Sequence, residues 1–506
     1  MGCGIRRPSS FIALVVGGAL AACSAPPAPT EGDLAAPDVG VQLFQLPWTA
    51  IAQECEETLG PRGFGWVLTS PPQEHIDRVE WWASYQPVSY ELETRLGTRE
   101  EFADMVQRCD EAGVAVIADA VINHMTGQNT AGTGWAGTPY EHYEYPGLYA
   151  DGDFHHCGLT ADDDIADYTS REQVQMCELV NLADLDTSSE SVRAMIGGYL
   201  DDLLSLGVAG FRIDAAKHMS AADVEAIVDA LPDDTRIISE VIRGGGEPIQ
   251  PEEYAAFGEV FEFTYARDLV PQVLSGTLID PEFADPRLGH VSDETAAVFI
   301  DNHDTERGEA DLTYRDGDLY LMANALMLAD DYGTPVLYSG YAFSDRDAGA
   351  PTDGEGRVVA AACGGVRQQA GGMGRSPIGD AASDLSTLSD GDRTCVHAST
   401  AIAGMLEWRR VAGSAARQPG ADEGDAYGFE REGRAVIAAN PGSEEQQITI
   451  PTSLPDGAYC DVVLAGPRIG EQSACPDGGT ITVAAGAASF TLGAAQTAAI
   501  HLFSRT

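Results

Sequence analysis

The chain has 506 residues and a mass of 53.4 kDa, which suits one large catalytic domain together with a smaller one. Apolar residues make up 44% and charged residues 21%, a globular composition that excludes disorder of the whole chain. The formal net charge is −50. A surface this acidic repels phosphate backbones, so we expect no nucleic-acid partner.

The N-terminus has the pattern of a targeting segment. Arg6 and Arg7 precede a short apolar run, Phe11–Ala22. This run is shorter than a membrane-spanning helix, which needs about 20 residues. The tetrapeptide that ends at Cys23 is similar to a bacterial lipobox, which predicts a signal peptide over 1–22 and a lipid-anchored linker over 23–36. The alternative is an ordinary cleavable signal with an incidental cysteine. Either reading predicts a location outside the cell or at the outer face of a bacterial membrane.

The cysteine count also indicates export. After removal of Cys3 with the signal, and with Cys23 as the predicted anchor, an even number of cysteines remains, which favours disulfides in an exported chain. No CxxC pair is present, so a zinc-ribbon site is not expected. The remaining cysteines are Cys55, Cys109, Cys157, Cys177, Cys363, Cys395, Cys460 and Cys475.

Short β-rich runs alternate with amphipathic stretches from residue 40 onward, which predicts an α/β fold with a (β/α)8 TIM barrel. The predicted strands are Val41–Leu46, Gly65–Ser70, Val114–Val121, Gly210–Asp214, Arg236–Val241, Glu259–Phe263, Ala297–Asp301 and Thr334–Ser339. The predicted helices between them include Arg99–Ala112, Ser191–Leu206, Ala221–Ala230 and Tyr320–Ala329.

Two departures from the barrel pattern define the remaining organisation. A long loop after the third strand, residues 124–183, predicts an inserted subdomain within a catalytic domain over 37–418. From about residue 419 no long helix is predicted, and β-like runs indicate a C-terminal antiparallel β-sandwich over 419–506. Those runs are Ala435–Ala439, Gln447–Ile450, Ala458–Leu464 and Thr480–Val483.

Polar side chains stand at the predicted carboxyl ends of several strands, where barrel enzymes build their chemistry. A single aspartate in such a place is more often a helix N-cap. Carboxylates at the ends of three different strands, accompanied by histidines and an arginine, favour a catalytic site, and a carboxylate pair is what cleavage of a glycosidic bond needs. These residues are Asn123, His124, Arg212, Asp214, Glu240, Asn302, His303 and Asp304.

The motifs around these residues carry a family resemblance. DAVINH (Asp119–His124), GFRIDAAKH (Gly210–His218), ISEVI (Ile238–Ile242) and FIDNHD (Phe299–Asp304) resemble the four signature regions of glycoside hydrolase family 13 α-amylases. WWASYQPVSY (Trp81–Tyr90) and flanking stretches resemble the branch shared by animals and actinobacteria. The resemblance covers nearly the whole mature chain and includes the C-terminal domain.

The resemblance implies that Asp214 is the nucleophile, Glu240 the general acid and base, and Asp304 the group that stabilises the transition state. Arg212 lies two residues before Asp214 on the same strand face, so we expect it to keep that carboxylate ionised. A retaining mechanism requires the carboxyl groups of Asp214 and Glu240 to lie about 5–5.5 Å apart.

Other positions match sugar-contacting residues of the family. Aromatic side chains suit the flat C–H faces of glucose, although an aromatic stripe alone would more often be core. Likewise, a histidine alone could be a buried core residue. Lys217 is the only lysine in the chain, which argues that an ammonium is needed there. The implied substrate-binding residues are Trp81, Trp82, Tyr85, Gln86, His124, Arg212, Lys217, His218, Glu247 and His303.

The resemblance also implies a calcium site and bears on a chloride site. Calcium would be held by Asn123, Asp184 and the backbone carbonyls of Gln175 and His218, because hard oxygen ligands suit this ion. Animal relatives hold chloride with residues that match Arg212 and Asn302 and with a second arginine, which we align with Pro335. With one cation instead of two, the chloride site is predicted to be empty or weak.

The family pattern implies four disulfides, Cys55–Cys109, Cys157–Cys177, Cys363–Cys395 and Cys460–Cys475. A further cysteine of animal members is replaced by Glu93. In the family the third bridge spans only a few residues, whereas here an insertion at 364–394 separates its cysteines and makes that pairing the least certain.

These observations predict a secreted, calcium-dependent, monomeric α-amylase that cleaves α-1,4-glucosidic bonds in starch and glycogen from within the chain, with retention. A family 13 transglucosylase or an enzyme with one fixed short product shares the same motifs and is the alternative. A non-catalytic starch-binding lipoprotein is disfavoured, because all three carboxylates are present.

Overall fold

The computed structural model describes residues 34–276, 278, 289–308, 310–359, 385–471 and 474–506, and Leu34–Thr506 form one compact unit. The predicted signal peptide, the lipobox and nearly all of the linker lie outside the described residues, as does Cys363. Among the described helices, none combines the length and the apolar character that crossing a membrane requires.

Eight parallel strands close into a barrel, as the sequence predicts. Going round the barrel, the order is β1, β10, β9, β8, β7, β6, β3 and β2, so strand neighbours follow chain order and the first strand meets the last. In chain order the strands are β1 Gly40–Leu43, β2 Trp66–Leu68, β3 Ala115–Ala120, β4 Gly132–Thr133, β5 Pro139–Tyr140, β6 Gly210–Ile213, β7 Arg236–Ser239, β8 Glu259–Phe261, β9 Ala296–Val298 and β10 Thr334–Ser339.

Apolar side chains fill both the inside of the barrel and the layer between its strands and helices. The interior cluster contains aromatic and β-branched residues such as Trp66, Phe261 and Val336. The larger outer cluster packs the other faces of the same strands against the helices, which explains why most strand positions are buried. The four long helices that the sequence predicts are present, with ends shifted by one or two residues.

Side-chain caps start several of the described α-helices. Thr98 and Glu101 form a reciprocal capping box at the start of α3, for example, with hydrogen bonds of 3.3 and 2.9 Å. The helices are α1 Trp48–Glu54, α2 Gly60–Arg62, α3 Arg99–Glu111, α4 Arg171–Val174, α5 Glu190–Ser205, α6 Ala221–Val228, α7 Phe263–Ser275, α8 Asp318–Ala329, α9 Thr400–Ala412 and α10 Val462–Ala465.

The insertion after β3 carries the small β4–β5 hairpin and the short α4, and it lies over the carboxyl end of the barrel. A bridge between His124 and Asp184 fastens its return to the end of β3. The disulfide Cys157–Cys177 closes a loop within it. The insertion therefore reaches the end of the barrel at which the predicted site lies.

The C-terminal residues form two four-stranded antiparallel sheets around a shared apolar cluster, as predicted. One sheet has the order β11, β12, β13, β18 and the other β14, β17, β16, β15. These strands are β11 Ala421–Glu423, β12 Ala426–Arg431, β13 Ala435–Asn440, β14 Gln446–Pro451, β15 Gly457–Cys460, β16 Thr480–Ala484, β17 Ala487–Leu492 and β18 Gln496–His501.

One predicted β run is shorter in the structure than in the prediction. The run Ala458–Leu464 is strand only as far as Cys460, because the side chain of Asp461 accepts a hydrogen bond from the Val463 amide and starts α10.

Three predicted disulfides are present: Cys55–Cys109, Cys157–Cys177 and Cys460–Cys475. Cys395 is disulfide-bonded, but its predicted partner lies outside the described residues.

Candidate active site

A cleft of about 650 Å³ opens at the carboxyl ends of the barrel strands. It brings together residues that are far apart in the sequence, and all three predicted catalytic carboxylates line it. Arg212 lies beneath its floor and is 2% exposed. The predicted substrate-binding residues that line the cleft are Trp81, Trp82, Tyr85, Gln86, His124, Lys217, His218, Glu247 and His303.

The guanidinium of Arg212 organises the carboxylates at the floor. One of its nitrogens, Nη1, donates to Asp214 Oδ1 at 2.8 Å, as the shared strand face of the two residues predicts. The other, Nη2, lies 2.8 Å from Glu240 Oε1. The Ala215 amide also donates to Glu240 Oε2 at 2.9 Å. One buried cation therefore joins the carboxyls at the ends of β6 and β7.

A third carboxylate, that of Asp119, completes the floor and was not among the predicted site residues. It lies on β3, is fully buried, and accepts from Arg212 Nη1 at 2.5 Å and from the Tyr85 hydroxyl at 2.9 Å. Its position inside the first signature motif was the available signal, because a buried carboxylate in a strand needs a partner. Asp119 connects the arginine to the aromatic wall of the cleft.

The carboxyl groups of Asp214 and Glu240 have different electrostatic surroundings. Burial raises the pKa of both Asp214 and Glu240, and Arg212 opposes this increase in each. The negative charge of Asp214 raises the pKa of Glu240 further. Glu240 is therefore the member of the pair that holds a proton more readily, while Asp214 remains the member that Arg212 stabilises as an anion.

Asp304 follows β9 and stands opposite this pair. Burial is the main cause that raises its pKa to about 8, and the charge of Glu240 adds to it. Asp304 Oδ2 also lies 3.3 Å from Nε2 of His303. The site thus places a fourth carboxyl group, that of Asp304, against the neighbouring imidazole.

Three histidines in the cleft are buried and uncharged. Burial lowers the pKa of His124 and of His218 to about 4, and it lowers the pKa of His303 well below the usual value. Arg212 and Arg307 lower the pKa of His303 further by charge repulsion. Neutral imidazoles can each offer one N–H and one lone pair, which suits recognition of hydroxyl groups.

Aromatic side chains form one wall of the cleft. The Tyr85 ring stacks on the His303 ring with centroids 4.9 Å apart, and the Trp81 ring stands edge-on to His303 at 5.8 Å. The guanidinium carbon of Arg307 lies 5.2 Å from the Trp81 ring centroid, on the core side. This packing fixes a rigid apolar surface beside the carboxylates.

The single lysine lies at the opposite side of the cleft. Lys217 Nζ donates to the Ile242 carbonyl at 2.9 Å, forms an ion pair with Glu247, and lies 5.7 Å from the Tyr168 ring centroid. Its ammonium thus has a carbonyl, a carboxylate and an aromatic ring in different directions. An ammonium has three rotatable donors, so it can serve separate partners that a planar guanidinium matches less well.

Several lining residues were not predicted from the sequence, because they lie in the insertion or are apolar members of a signature motif. Most come from the insertion, and Val180 among them is 75% exposed with a positive φ of 45°. A β-branched residue rarely adopts that conformation, so the surrounding loop must hold Val180 in it. The missed lining residues are Tyr168, Leu179, Val180, Leu182, Ala215 and Ile242.

The residues predicted to bind calcium fall into two adjoining groups. Asn123 Nδ2 lies 3.3 Å from Asp184 Oδ1, while Asn123 Oδ1 is buried and has no hydrogen-bond partner. His155 Nδ1 lies 2.7 Å from Asp184 Oδ2. In the second group the His218 ring bonds the Val174 carbonyl, next to Gln175, at 3.0 Å.

These groups fit a hard cation. A buried amide oxygen without a donor is an unusual feature that an ion would satisfy, and a carboxylate stands beside it. The described residues contain no cluster of three or more His, Cys, Asp or Glu side chains disposed around a metal position. Such a site would therefore depend on amide and backbone oxygens, as the predicted ligand set does.

The structure corrects the register of the predicted chloride position. Val336, and not Pro335, lines the small space shared with Arg212 and Asn302. Pro335 is the preceding residue of β10, so its side chain points to the other face of the strand. The residue that faces Arg212 is therefore uncharged, but it is a valine instead of the proline that the sequence alignment indicated.

Comparison with known proteins agrees with this geometry. A family model described as the C-terminal all-beta domain of alpha amylase matches residues 420–503. The chain is 42% identical over 465 residues to an alpha-amylase of Streptomyces violaceus, a match that covers 90% of this chain and 74% of that protein. The chain belongs to the family 13 α-amylases. An alpha-amylase of Tenebrio molitor is 37% identical, with 88% and 94% of the two chains covered.

Solved structures place the α-amylase fold over nearly the whole chain. Alpha-amylase I of Eisenia fetida superposes with a TM-score of 0.83 at 32% identity, and the match covers 93% of this chain and 98% of that one. A complex of a mutant of that enzyme with maltohexaose superposes with a TM-score of 0.82. This member of the α-amylase family is accordingly a glycoside hydrolase that acts on α-glucans.

Proposed function

We propose that this α-amylase hydrolyses internal α-1,4-glucosidic bonds of starch, glycogen and related glucans with retention of anomeric configuration. The observation that carries the proposal is the pair Asp214 and Glu240, which share one buried arginine yet differ in their electrostatic surroundings. Retaining glycosidases need this division between an anionic nucleophile and a protonated acid.

In the first step Glu240 donates its proton to the glycosidic oxygen while Asp214 attacks the anomeric carbon and forms a covalent glycosyl-enzyme. The aglycone then leaves. In the second step Glu240, now a carboxylate, removes a proton from water, and the resulting nucleophile displaces Asp214 from the anomeric carbon. Asp304 stabilises the oxocarbenium-like transition states through the sugar hydroxyls. The cycle thus combines general acid and base catalysis by Glu240 with nucleophilic catalysis by Asp214.

The surrounding side chains would bind the sugar units on either side of the cleaved bond. Trp81, Trp82 and Tyr85 offer a rigid surface for stacking, and the neutral imidazoles offer directional hydrogen bonds. Lys217 and Glu247 stand on the other side of the carboxylates. The maltohexaose complex of the Eisenia fetida relative supports a glucan as the ligand of this cleft.

Calcium is the second part of the proposal. Asn123 Oδ1, Asp184 and the carbonyls of Gln175 and His218 would hold the ion, whose charge would satisfy the unpartnered amide oxygen. Such an ion would tie the insertion to the end of β3. It would act on the cleft through the position of the insertion and would take no part in bond cleavage.

We further propose that the protein is exported and acts as a monomer. Three disulfides among the described residues support an oxidising location. Anchoring through a lipid at Cys23 stays a prediction from the sequence. Radiolabelled palmitate incorporation in the native host, lost in Cys23→Ala, is the expected result for a lipoprotein; an unlabelled wild type would contradict the anchor.

A transglucosylase or a fixed-product enzyme shares these motifs, so product analysis decides. We expect soluble starch to yield a mixture of maltooligosaccharides whose mean length falls with time, with the newly formed reducing ends initially in the α configuration by NMR. Longer products from a maltooligosaccharide donor would indicate transfer, and a single product length would indicate a fixed-product enzyme. Initial β anomers would contradict retention.

A further inference from the structure

A buried amide from the first barrel strand contacts the imidazole of His303. Gln42 lies on β1 and is 4% exposed, and His303 is 1% exposed. Gln42 Nε2 lies 3.0 Å from His303 Nδ1 although 261 residues separate them in the sequence. Because an amide nitrogen can only donate, the lone pair at His303 Nδ1 must accept this hydrogen bond.

The group on the other side of the ring is compatible with this assignment. His303 Nε2 lies 3.3 Å from Asp304 Oδ2, a carboxyl oxygen that can accept a hydrogen bond. A neutral imidazole with an acceptor at Nδ1 carries its only proton on Nε2. Gln42 therefore selects the tautomer with its proton on Nε2, and Asp304 Oδ2 can accept from that N–H.

The ring cannot turn over to exchange its two nitrogens. It is packed between Phe44, with centroids 4.8 Å apart and planes at 24°, and Tyr85, at 4.9 Å and 7°. Trp81 stands edge-on at 5.8 Å. Fixed orientation and fixed tautomer together decide which group the imidazole offers to the cleft.

We propose that Gln42 is a positioning residue for catalysis: its amide holds His303 in the Nε2–H tautomer, so that an N–H donor faces Asp304 and the sugar at the cleavage point. This proposal rests on the proposed function for the role of His303 toward the substrate. The amide does not titrate, so it holds the same tautomer whether or not neighbouring carboxyls carry protons. Gln42 itself touches the ring and not the sugar.

A second histidine in the same cleft provides an internal comparison. His218 Nδ1 lies 3.0 Å from the Val174 carbonyl, which can only accept, so His218 carries its proton on Nδ1 and presents a bare Nε2. The two imidazoles are thus expected to be opposite tautomers. The tautomer can be read from nitrogen chemical shifts without any measurement of activity.

The test uses the full protein with 15N-labelled histidine and long-range proton–nitrogen NMR, with His303 assigned from its loss in His303→Gln. We expect wild-type His303 to be neutral with its proton on Nε2 and His218 to be neutral with its proton on Nδ1. A proton on Nδ1 of wild-type His303 would overturn the proposal whether or not the enzyme hydrolyses starch. If the tautomer is as expected but starch is not cleaved, the proposed function fails instead.

Two variants then test the consequence. Gln42→Met removes the donor at similar size, so the Nε2–H pattern should be lost or mixed and kcat should fall roughly tenfold, about the worth of one hydrogen bond. Gln42→Glu should place a proton on Nδ1. The control Gln73→Met removes another buried glutamine, which accepts from Tyr199 at 2.8 Å outside the cleft, and should leave kcat and both tautomers unchanged.

The proposal holds only if tautomer and kcat change together in Gln42→Met. A lower kcat with an unchanged His303 spectrum would show a purely structural role and overturn it. An altered tautomer with wild-type kcat would overturn it as well. If Gln42→Met fails to fold, the same joint change must appear in Gln42→Glu, where an unchanged spectrum or an unchanged kcat overturns the proposal.

Discussion

Arg212 is the residue on which the charges of the cleft depend. Its guanidinium contacts Asp119, Asp214 and Glu240 and is 2% exposed, so one positive charge serves three buried carboxyls. That number of acids cannot all be ionised beside a single cation in a dry site. The raised pKa of Glu240 is therefore a consequence of the cluster as a whole, in which burial and the charge of Asp214 outweigh the effect of Arg212.

Replacing the nucleophile should separate chemistry from binding. We expect Asp214→Asn to lower kcat on starch by roughly 10³-fold or more while maltooligosaccharide binding and the melting temperature change little, because the attacking oxygen is lost but the walls remain. Initial rates and calorimetric titration measure the two effects. Asp201→Asn, an exposed carboxylate on α5, is the matched control. A variant that kept a tenth of wild-type turnover would show that the nucleophile lies elsewhere.

Val336 makes a second residue-scale prediction, about chloride. An anion next to Arg212 would have only one cation and Asn302 beside it, because Val336 is uncharged, so we expect no bound chloride under working conditions. Exchange of chloride for gluconate at matched ionic strength should leave turnover unchanged between pH 5 and 9. Val336→Arg should make turnover chloride-dependent, whereas Pro335→Ala should not. Several-fold activation of the wild type by millimolar chloride would contradict this account.

At the scale of elements, the insertion between β3 and α5 controls the shape of the cleft. The bridge from His124 to Asp184 and the contact of Asn123 with Asp184 hold it at one end. Gln175 Nε2 donates to the Met219 carbonyl at 3.2 Å and holds it at another. The insertion thus meets the barrel at the ends of β3 and β6, on both sides of the proposed calcium ligands.

Removal of the metal should therefore release the insertion from the end of β3. We expect EDTA to lower both the melting temperature and the activity, with both restored by calcium, because ligands from the barrel and from the insertion would lose their common ion. Asp184→Asn should lower the melting temperature and abolish its response to EDTA. Asp186→Asn, which removes another carboxylate neighbour of His155, should keep the wild-type response. An unchanged wild-type melting curve after confirmed metal removal would exclude the proposed role.

The eight barrel strands could be predicted because their burial on both faces leaves continuous apolar runs in the sequence. The catalytic carboxylates could be predicted because they stand at the ends of those runs. The positions of Leu179 and Val180 in the cleft could not be predicted, because they depend on how a loop without periodicity folds over the barrel. The Pro335 assignment failed because an alignment error of one residue changes the face of a strand. The contact between Gln42 and His303 joins residues that are 261 positions apart in the sequence, which no local pattern encodes.

At the scale of the whole molecule, buried titratable groups limit stability at both ends of the pH range. The pKa values of Asp119 and Asp461 are both raised to about 7, mainly by burial, so the folded state holds protons that the unfolded state releases above about pH 4. Their contribution to stability is lost as pH rises through those values. Buried histidines act in the opposite direction, so stability should be highest at mildly acidic pH.

The loss of stability at acidic pH can be measured at His75, which is not one of the cleft residues. It is fully buried, its Nδ1 lies 2.8 Å from the Ile76 carbonyl, and burial lowers its pKa to about 4. Between the unfolded value of about 6.5 and this folded value, only the unfolded state binds the proton, so stability present above pH 6.5 is lost as pH falls. Relative to His75→Gln, the wild type should lose up to about 3 kcal/mol of unfolding free energy between pH 7 and 4, measured by urea titration. The exposed His156→Gln should run parallel to the wild type, and a pH-independent difference between wild type and His75→Gln would show that folding does not lower the pKa of His75.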